Sequence, residues 1–330
     1  MGAGEFDLIE RIRRRIIARD DVVLGIGDDA ALLAVPPGMQ LVVAMDTLNA
    51  GVHFPLDTRP ADIGWKALAV NLSDLAAMGA TPAWCTLSLS LPAADADWLD
   101  AFLDGFGALA SLHGVALVGG DTTRGPLSIS VTAHGFVATG AALRRDGARI
   151  GHDVWISGTP GDAAAALALL RHAPAPPAFA ADAAAREALR ARLDRPQPRV
   201  GLGRALGGIA HAAIDISDGL LADLGHVARA SGVHIDVDLD ALPASPHLAN
   251  VARDWRLRWQ ATGGDDYELA ITAPAAARAA IGALTDDDGT RFTRIGRVAA
   301  GAGVVARCDG ERIEFDRLGY QHFAGAAPQR

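Results

Sequence analysis

The chain has 330 residues, half of them hydrophobic, and a net charge of -9. That length exceeds what one hydrophobic core usually fills, so two domains of about 150 residues each are expected. The acid sits in aspartates at turns rather than in a tail, which argues against a nucleic-acid partner, and Lys66 is the one lysine among 30 basic residues.

With a single lysine there is no G-x-x-x-x-G-K-[ST] phosphate loop, and a Schiff base would have to use Lys66. Any phosphate must therefore be held by metal, backbone amides or arginine. No apolar run approaches the ~18 residues of a membrane span, and the opening Met1 to Asp7 lacks a basic-then-apolar layout, so no membrane contact and a cytoplasmic location are expected. Cys85 and Cys308 lie far apart in strand-like runs and read as reduced thiols.

In chain order, Phe6 to Ile12 with Ile16 and Ile17 has the spacing of an amphipathic helix. Gly25-Ile26-Gly27-Asp28-Asp29 turns tightly and delivers adjacent carboxylates from an apolar segment, a design that attracts hard cations. Leu41 to Met45 predicts a buried strand ending at Asp46-Thr47, with His53 shortly after. Pro60 opens a helix to about Met78, with Ile63, Ala67, Val70 and Leu75 on one face. Asn71 and Asp74 share a side of it. The helix dipole opposes Asp74 near the C-terminal end, so that carboxylate needs a cation or exposure.

A strand at Trp84 to Leu91 and a helix over Asp95 to Leu112 lead to a buried strand, Val115 to Val118, ending on Gly119-Gly120-Asp121. Ser128 to Val137 alternates as a half-buried antiparallel strand. The junction falls near residue 148, giving domains 1–148 and 149–330. In the second, Val154 to Ser157 predicts a strand whose loop opens an alanine-rich helix. Pro174 to Pro177, Pro196 and Pro198 read as connectors. Ala212 to Ile216 predicts a strand, and Ser217 caps a helix whose Leu220, Leu221, Leu224 and Val227 make an apolar face. Ser217 and Asp218 at a helix N-terminus suit a phosphate or a hydrated cation, although an ordinary cap explains Ser217 equally well. Strands follow near Tyr267 to Thr272 and Arg291 to Val298, then a hairpin from Val304 to Phe315 turning on Asp309-Gly310.

Carboxylates and phosphates repel, so a site lined by these aspartates binds a polyphosphate only with divalent cations between them, and magnesium fits. Arg124 and Arg145 can spread charge on a transferred phosphoryl group. An ordinary turn explains any one Asp-Gly node; six nodes flanked by core-like sequence call for more.

Taken together, Gly25-Ile26-Gly27-Asp28-Asp29, Asp46-Thr47 with His53, Asn71-Leu72-Ser73-Asp74, Gly119-Gly120-Asp121-Thr122-Thr123, Asp215-Ile216-Ser217-Asp218-Gly219 and Gly263-Gly264-Asp265-Asp266-Tyr267-Glu268 resemble the thiamine-monophosphate kinases, of the aminoimidazole ribonucleotide synthetase-like superfamily. The match runs in order down to Gly319-Tyr320-Gln321-His322-Phe323. It implies a two-domain α+β fold, an N-terminal mixed sheet with helices followed by a C-terminal α+β domain, and a homodimer formed through the N-terminal domain. It also implies ATP and thiamine monophosphate as substrates, with direct in-line transfer giving thiamine diphosphate.

By position, the resemblance makes Asp28, Asp46, Asp74, Asp121, Asp215 and Asp218 magnesium ligands, with Asp46, Asp121 and Asp218 closest to the chemistry. Gly120, Asp121, Arg145 and Ser217 would contact ATP, and His53, Asp265 and Tyr320 the thiamine phosphate. Two departures stand out: Ala44-Met45 replaces a common Ser-Thr, leaving only backbone carbonyls there, and Asp265 replaces a common glutamate with a shorter reach. Alternatives are a selenophosphate synthetase, disfavoured by the absence of Cys or Lys in the N-terminal glycine-rich segment, a hydrogenase-maturation protein, or a non-catalytic nucleotide- or cation-binding protein.

Overall fold

A computed structural model describes residues 5–15, 17–171 and 182–323. Ile16 of the first helix and the connector expected around Pro174 and Pro177 lie outside them. The described residues form two compact units: one comprises Met1–Ala142 with Asp194–Gly207, the other Leu143–Leu193 with Gly208–Arg330.

The amphipathic opening forms α1 (Glu5–Arg13), which buries Leu8 and Ile12. A short antiparallel pair, β1 (Val22–Leu24) and β2 (Leu32–Leu33), follows, so the Gly-Ile-Gly-Asp-Asp segment is the loop joining two strands. Next come β3 (Met39–Asn49), α2 (Pro60–Ala77), β4 (Thr81–Leu91), α3 (Ala96–His113), β5 (Ala116–Arg124) and β6 (Ser128–Ala138). These four longer strands make a sheet in the order β3-β6-β4-β5, parallel only between β4 and β5.

Three expectations need correction here. β3 does not end at Asp46, nor β5 at Asp121: pairing with β6 continues to Asn49, and pairing with β4 to Arg124. Thr47 and Asp121 alternate onto a sheet face that no helix covers, where polar groups cost little, while Asp46 alternates onto the face toward α2. β3 is also an edge strand with one exposed face, rather than a buried strand.

Pro60 occupies the start of α2, where a missing N–H costs nothing. This helix is buried nearly all round, not on one face, because it lies among the sheet, α3 and the return segment near Gly203. Fully buried Leu68, Leu72 and Leu75 contribute roughly 2 kcal/mol each by removal from water. The α2–α3 contact is close enough that a Cβ on Gly105 would fall 1.7 Å from the Ala61 carbonyl oxygen. Lys66 is 1% exposed, buried within α2.

The second unit begins with β7 (Asp153–Ser157), α4 (Asp162–Leu170) and α5 (Ala183–Asp194). The chain then supplies the first unit with α6 (Val200–Ala205) before β8 (Ala212–Asp215), α7 (Leu220–Ser231), β9 (His234–Asp238), α8 (Arg253–Thr262), β10 (Leu269–Ala273), α9 (Arg278–Ala283), β11 (Phe292–Ala299), β12 (Gly303–Cys308) and β13 (Glu311–Ile313). Seven strands pair in the order β13-β12-β9-β11-β7-β10-β8, and Leu220, Leu221, Leu224 and Val227 of α7 pack onto them. Asp309 and Gly310, both at positive φ, make the expected β12–β13 turn. Among the described residues no helix is long and apolar enough to cross a membrane.

Candidate functional site

In the first unit the β1–β2 loop is held by packing. Val22 and Leu33 pack with Trp84, Val118 and Phe136, and the Trp84 indole donates to Asp21 at 2.8 Å. The loop, Ile9 and Ile12 of α1, Leu87 and residues 117–122 of β5 enclose a cavity of about 320 Å³. Asp28, Gly120 and Asp121 all line it, and so does Asp29, whose amide donates to the Asp28 carboxylate at 2.9 Å. Gly120 is sterically required, since a Cβ there would sit 1.9 Å from the Leu87 carbonyl oxygen.

Strand register places Thr47, Ser130, Ser88 and Asp121 side by side across all four strands, with the Thr47 and Ser130 hydroxyls 2.7 Å apart. Alternation sends Asp46 to the opposite face, toward α2. There its amide donates to Asn71 Oδ1 at 2.9 Å, and burial pushes its carboxyl upward from the ordinary value. Asp74, one turn beyond Asn71, is half-buried among buried neighbours. Of the six expected metal ligands, Asp28 and Asp121 line one cavity, Asp46 lies on the sheet face toward α2, Asp74 lies on α2 itself, and in the second unit Asp215 ends β8 with Asp218 in the turn after it. His53 lies in the turn after β3, and its Nδ1 accepts the Asn49 amide at 2.9 Å, which leaves the neutral ring's proton on Nε2.

Sequence reasoning missed Arg13. A side chain on Gly27 would begin 3.5 Å from the Arg13 guanidinium carbon. Arg11, Arg14 and Arg15 pair with acids, whereas Arg13 has no acidic partner among the described residues.

In the second unit, Asp215 ends β8 at 4% exposure, and the turn after it corrects the capping expectation. Gly219, at φ 138, is the N-cap of α7, not Ser217. The amides of Ser217, Asp218 and Gly219 point inward, donating to Asp223 Oδ2 at 3.1, 3.1 and 3.0 Å. They are therefore already occupied, and a phosphate here would be met by side chains or metal. Burial, with Asp215 and Asp218 nearby, pushes Asp223 up to about 7. Oxygens of Asp218 and Asp223 and a ring nitrogen of His226 lie within 4.8 Å of one another.

The same turn gathers the expected substrate residues. Ser217 O accepts the Asp265 amide at 2.9 Å, and Asp218 O accepts the Tyr320 amide at 2.9 Å. The Tyr320 ring is half-exposed, edge-on to His322 at 5.0 Å. Asp266 and Glu268 are structural: Asp266 accepts the Gly161 amide at the start of α4, while Glu268 takes the Ser157 hydroxyl at 2.5 Å and Arg192 at 2.8 Å. Arg145 is exposed, with no carboxylate partner among the described residues, and its carbonyl accepts the Ser231 hydroxyl at 2.8 Å.

The donor set is all hard oxygen apart from His226, which suits magnesium rather than a soft metal. Residues 27–137 match the AIR synthase related protein N-terminal domain, and residues 149–309 the C-terminal domain of that family. The chain is 48% identical to the thiamine-monophosphate kinase of Salmonella typhimurium over 327 residues, covering 98% of this chain and 99% of the relative. It superposes on the crystal structure of thiamine-monophosphate kinase from Stenotrophomonas maltophilia K279a with TM-score 0.85 at 58% identity, covering 95% of this chain and 99% of the other. For the structure of AaThiL complexed with AMPPCP and TMP the TM-score is 0.72 at 32% identity, over 96% and 97% of the two chains. By sequence and by fold, the chain belongs to the thiamine-monophosphate kinase family of AIR synthase related proteins.

Proposed function

We propose that this chain transfers the γ-phosphoryl group of ATP to thiamine monophosphate, giving ADP and thiamine diphosphate. The observation that carries the reading is the cavity in which Asp28, Gly120 and Asp121 meet, in a chain 48% identical to a thiamine-monophosphate kinase over nearly its whole length. That identity favours this reaction over the selenophosphate-synthetase, hydrogenase-maturation and non-catalytic readings.

A terminal phosphate oxygen of thiamine monophosphate attacks the γ-phosphorus in line. The bond from that phosphorus to the β,γ-bridging oxygen breaks, and ADP leaves without a phosphoenzyme. Asp28, Asp46, Asp74, Asp121, Asp215 and Asp218 would hold magnesium, which when bound offsets the charge of the phosphates against these carboxylates. Gly120, packed against the Leu87 backbone, offers its own backbone to the nucleotide, Arg145 offers a guanidinium to its phosphates, and Ser217 offers a hydroxyl. His53 presents its Nε2 proton to the acceptor phosphate, and Asp265 and Tyr320 face the thiamine rings. A cytoplasmic location, where ATP is abundant, belongs to the same reading. The test is ADP formation: it should require both magnesium and thiamine monophosphate, and ADP released equally without thiamine monophosphate would refute the assignment.

A homodimer completes the proposal. Met39, Leu41, Val43 and Met45 expose an apolar row along β3, an edge strand, and a row of that kind is stable in water when a second copy covers it. Light scattering should give twice the chain mass, and Val43→Asp should give monomers.

A further inference from the structure

The turn at 216–219 is where three segments of the second unit are tied together. Its carbonyls serve the other two segments: Ile216 O accepts the Tyr267 amide at 2.8 Å, Ser217 O that of Asp265 at 2.9 Å, and Asp218 O that of Tyr320 at 2.9 Å. Its amides serve one atom, Asp223 Oδ2. Asp223 is 3% exposed, four residues into the chain beyond the Gly219 cap. The turn is crowded from outside as well, since a Cβ on Gly264 would lie 2.4 Å from Ser217 O.

We propose that Asp223 is a positioning residue for the phosphoryl transfer described above, fixing the Ser217–Gly219 turn and, through it, the nucleotide and metal side chains Ser217 and Asp218 and the substrate segments at Asp265 and Tyr320. The proposal rests on that reading of the site. One side-chain oxygen that accepts from three N–H donors satisfies three amides which would otherwise face the interior unpaired. Removing it leaves three inward-facing amides without their acceptor, and a turn closed by glycine at φ 138 has little intrinsic preference to hold its shape. Ser217 and Asp218 would then shift directly, and Asp265 and Tyr320 would shift through the carbonyls that carry them.

The test uses the full chain as Asp223→Ala and Asp223→Asn, with Asp153→Asn as a control that loses a buried carboxylate on β7 away from the turn. The Asp223→Asn side chain is isosteric and keeps one oxygen able to accept the amides. In Asp223→Ala, hydrogen exchange at residues 215–219 and 318–321 should accelerate relative to the rest of the chain. The Kd for magnesium-ATP by calorimetry should rise about tenfold, and kcat should fall roughly 100-fold, the scale set by ångström-level misplacement of reacting groups. Asp223→Asn should restore the protection and most of the turnover. Asp153→Asn should lower the melting temperature with none of these changes.

Wild-type exchange and kcat in Asp223→Ala would overturn the proposal, as would equal slowing by Asp223→Ala and Asp153→Asn. If Asp223→Ala does not fold, Asp223→Glu decides: local exchange and slowed turnover support the role, and wild-type values for both refute it. If the wild-type chain makes no ADP from thiamine monophosphate, the reaction assigned above fails, while the exchange pattern still decides whether Asp223 sets the turn.

Discussion

The backbone amide of Asp46 donates to Asn71 Oδ1 at 2.9 Å, and Asn71 is anchored in turn by its Nδ2 on the Ala67 carbonyl at 3.1 Å. Asn71 is fully buried, so this one side chain ties the middle of α2 to the strand that carries a proposed ligand. Asn71→Ala should therefore cost about 1–3 kcal/mol in denaturant unfolding, the penalty for unpaired buried polar groups. It should also lower kcat more than it raises the KM for ATP, because Asp46 loses its position while Gly120 and Arg145 keep theirs. Unchanged turnover in a destabilised Asn71→Ala would show that the tie serves folding alone.

Gly119 and Gly120 are neighbours with opposite tolerances. A Cβ on Gly120 meets the Leu87 carbonyl oxygen at 1.9 Å, whereas one on Gly119 meets only Thr86 Cγ2 at 3.8 Å. Gly120→Ala must push β5 off β4, and overpacking of this kind costs about 1–3 kcal/mol or more. Thermal melts should show Gly120→Ala several degrees below wild type and inactive, with Gly119→Ala close to wild type in both. Equal melting temperatures for the two variants would mean that β5 yields more easily than its pairing implies.

Much of this was legible in sequence because periodicity reports burial. The spacing in α2 and α3, the alternation of Ser128 to Val137 and the Asp309-Gly310 turn all form close to where expected. Strand ends were not legible: at Asp46-Thr47 and at Asp121 polar residues continue a paired strand, Thr47 and Asp121 on its uncovered face, and polarity alone does not distinguish that from a turn. Asp223 was invisible for a related reason, since an aspartate in the first turn of a helix reads as a dipole partner facing solvent. Only the folded turn shows its carboxylate facing inward. Pro196 and Pro198 marked a break correctly but gave no sign that residues 194–207 belong with the first unit.

Acid should expose a second buried carboxylate. Asp153 is buried on β7, and the Arg278 guanidinium bonded to both its oxygens at 2.6 and 2.8 Å, helped by Arg294, holds it below the usual carboxylate range. A folded-state pKa below the unfolded value of about 3.9 stabilises the protein above that pH, and the contribution is lost as pH falls through the folded value. Arg278→Ala should therefore lower the urea midpoint at pH 7, with the difference from wild type shrinking as pH drops below about 4. A difference that stays constant down to pH 3 would assign the effect to packing of the arginine stem.

Substrate recognition can be separated from nucleotide recognition at Asp265 and Tyr320. Asp265 and Tyr320 are brought to one turn by their backbone amides, on Ser217 O and Asp218 O, so their side chains can be changed without cutting those bonds. Asp265 stands at φ 66, a conformation that asparagine tolerates, and its Oδ1 lies 3.3 Å from the Tyr267 hydroxyl. Asp265→Asn thus removes the charge while sparing the backbone. The half-exposed Tyr320 ring can be truncated with little cavity. Thiamine carries a permanent thiazolium cation and an aromatic pyrimidine, which a carboxylate and a tyrosine face would each favour. Asp265→Asn and Tyr320→Ala should each raise the KM for thiamine monophosphate roughly tenfold, equivalent to ~1.4 kcal/mol, with the KM for ATP nearly unchanged. Equal weakening toward both substrates would point to a disturbed turn instead, and unaltered binding of thiamine monophosphate by calorimetry would place the substrate rings elsewhere.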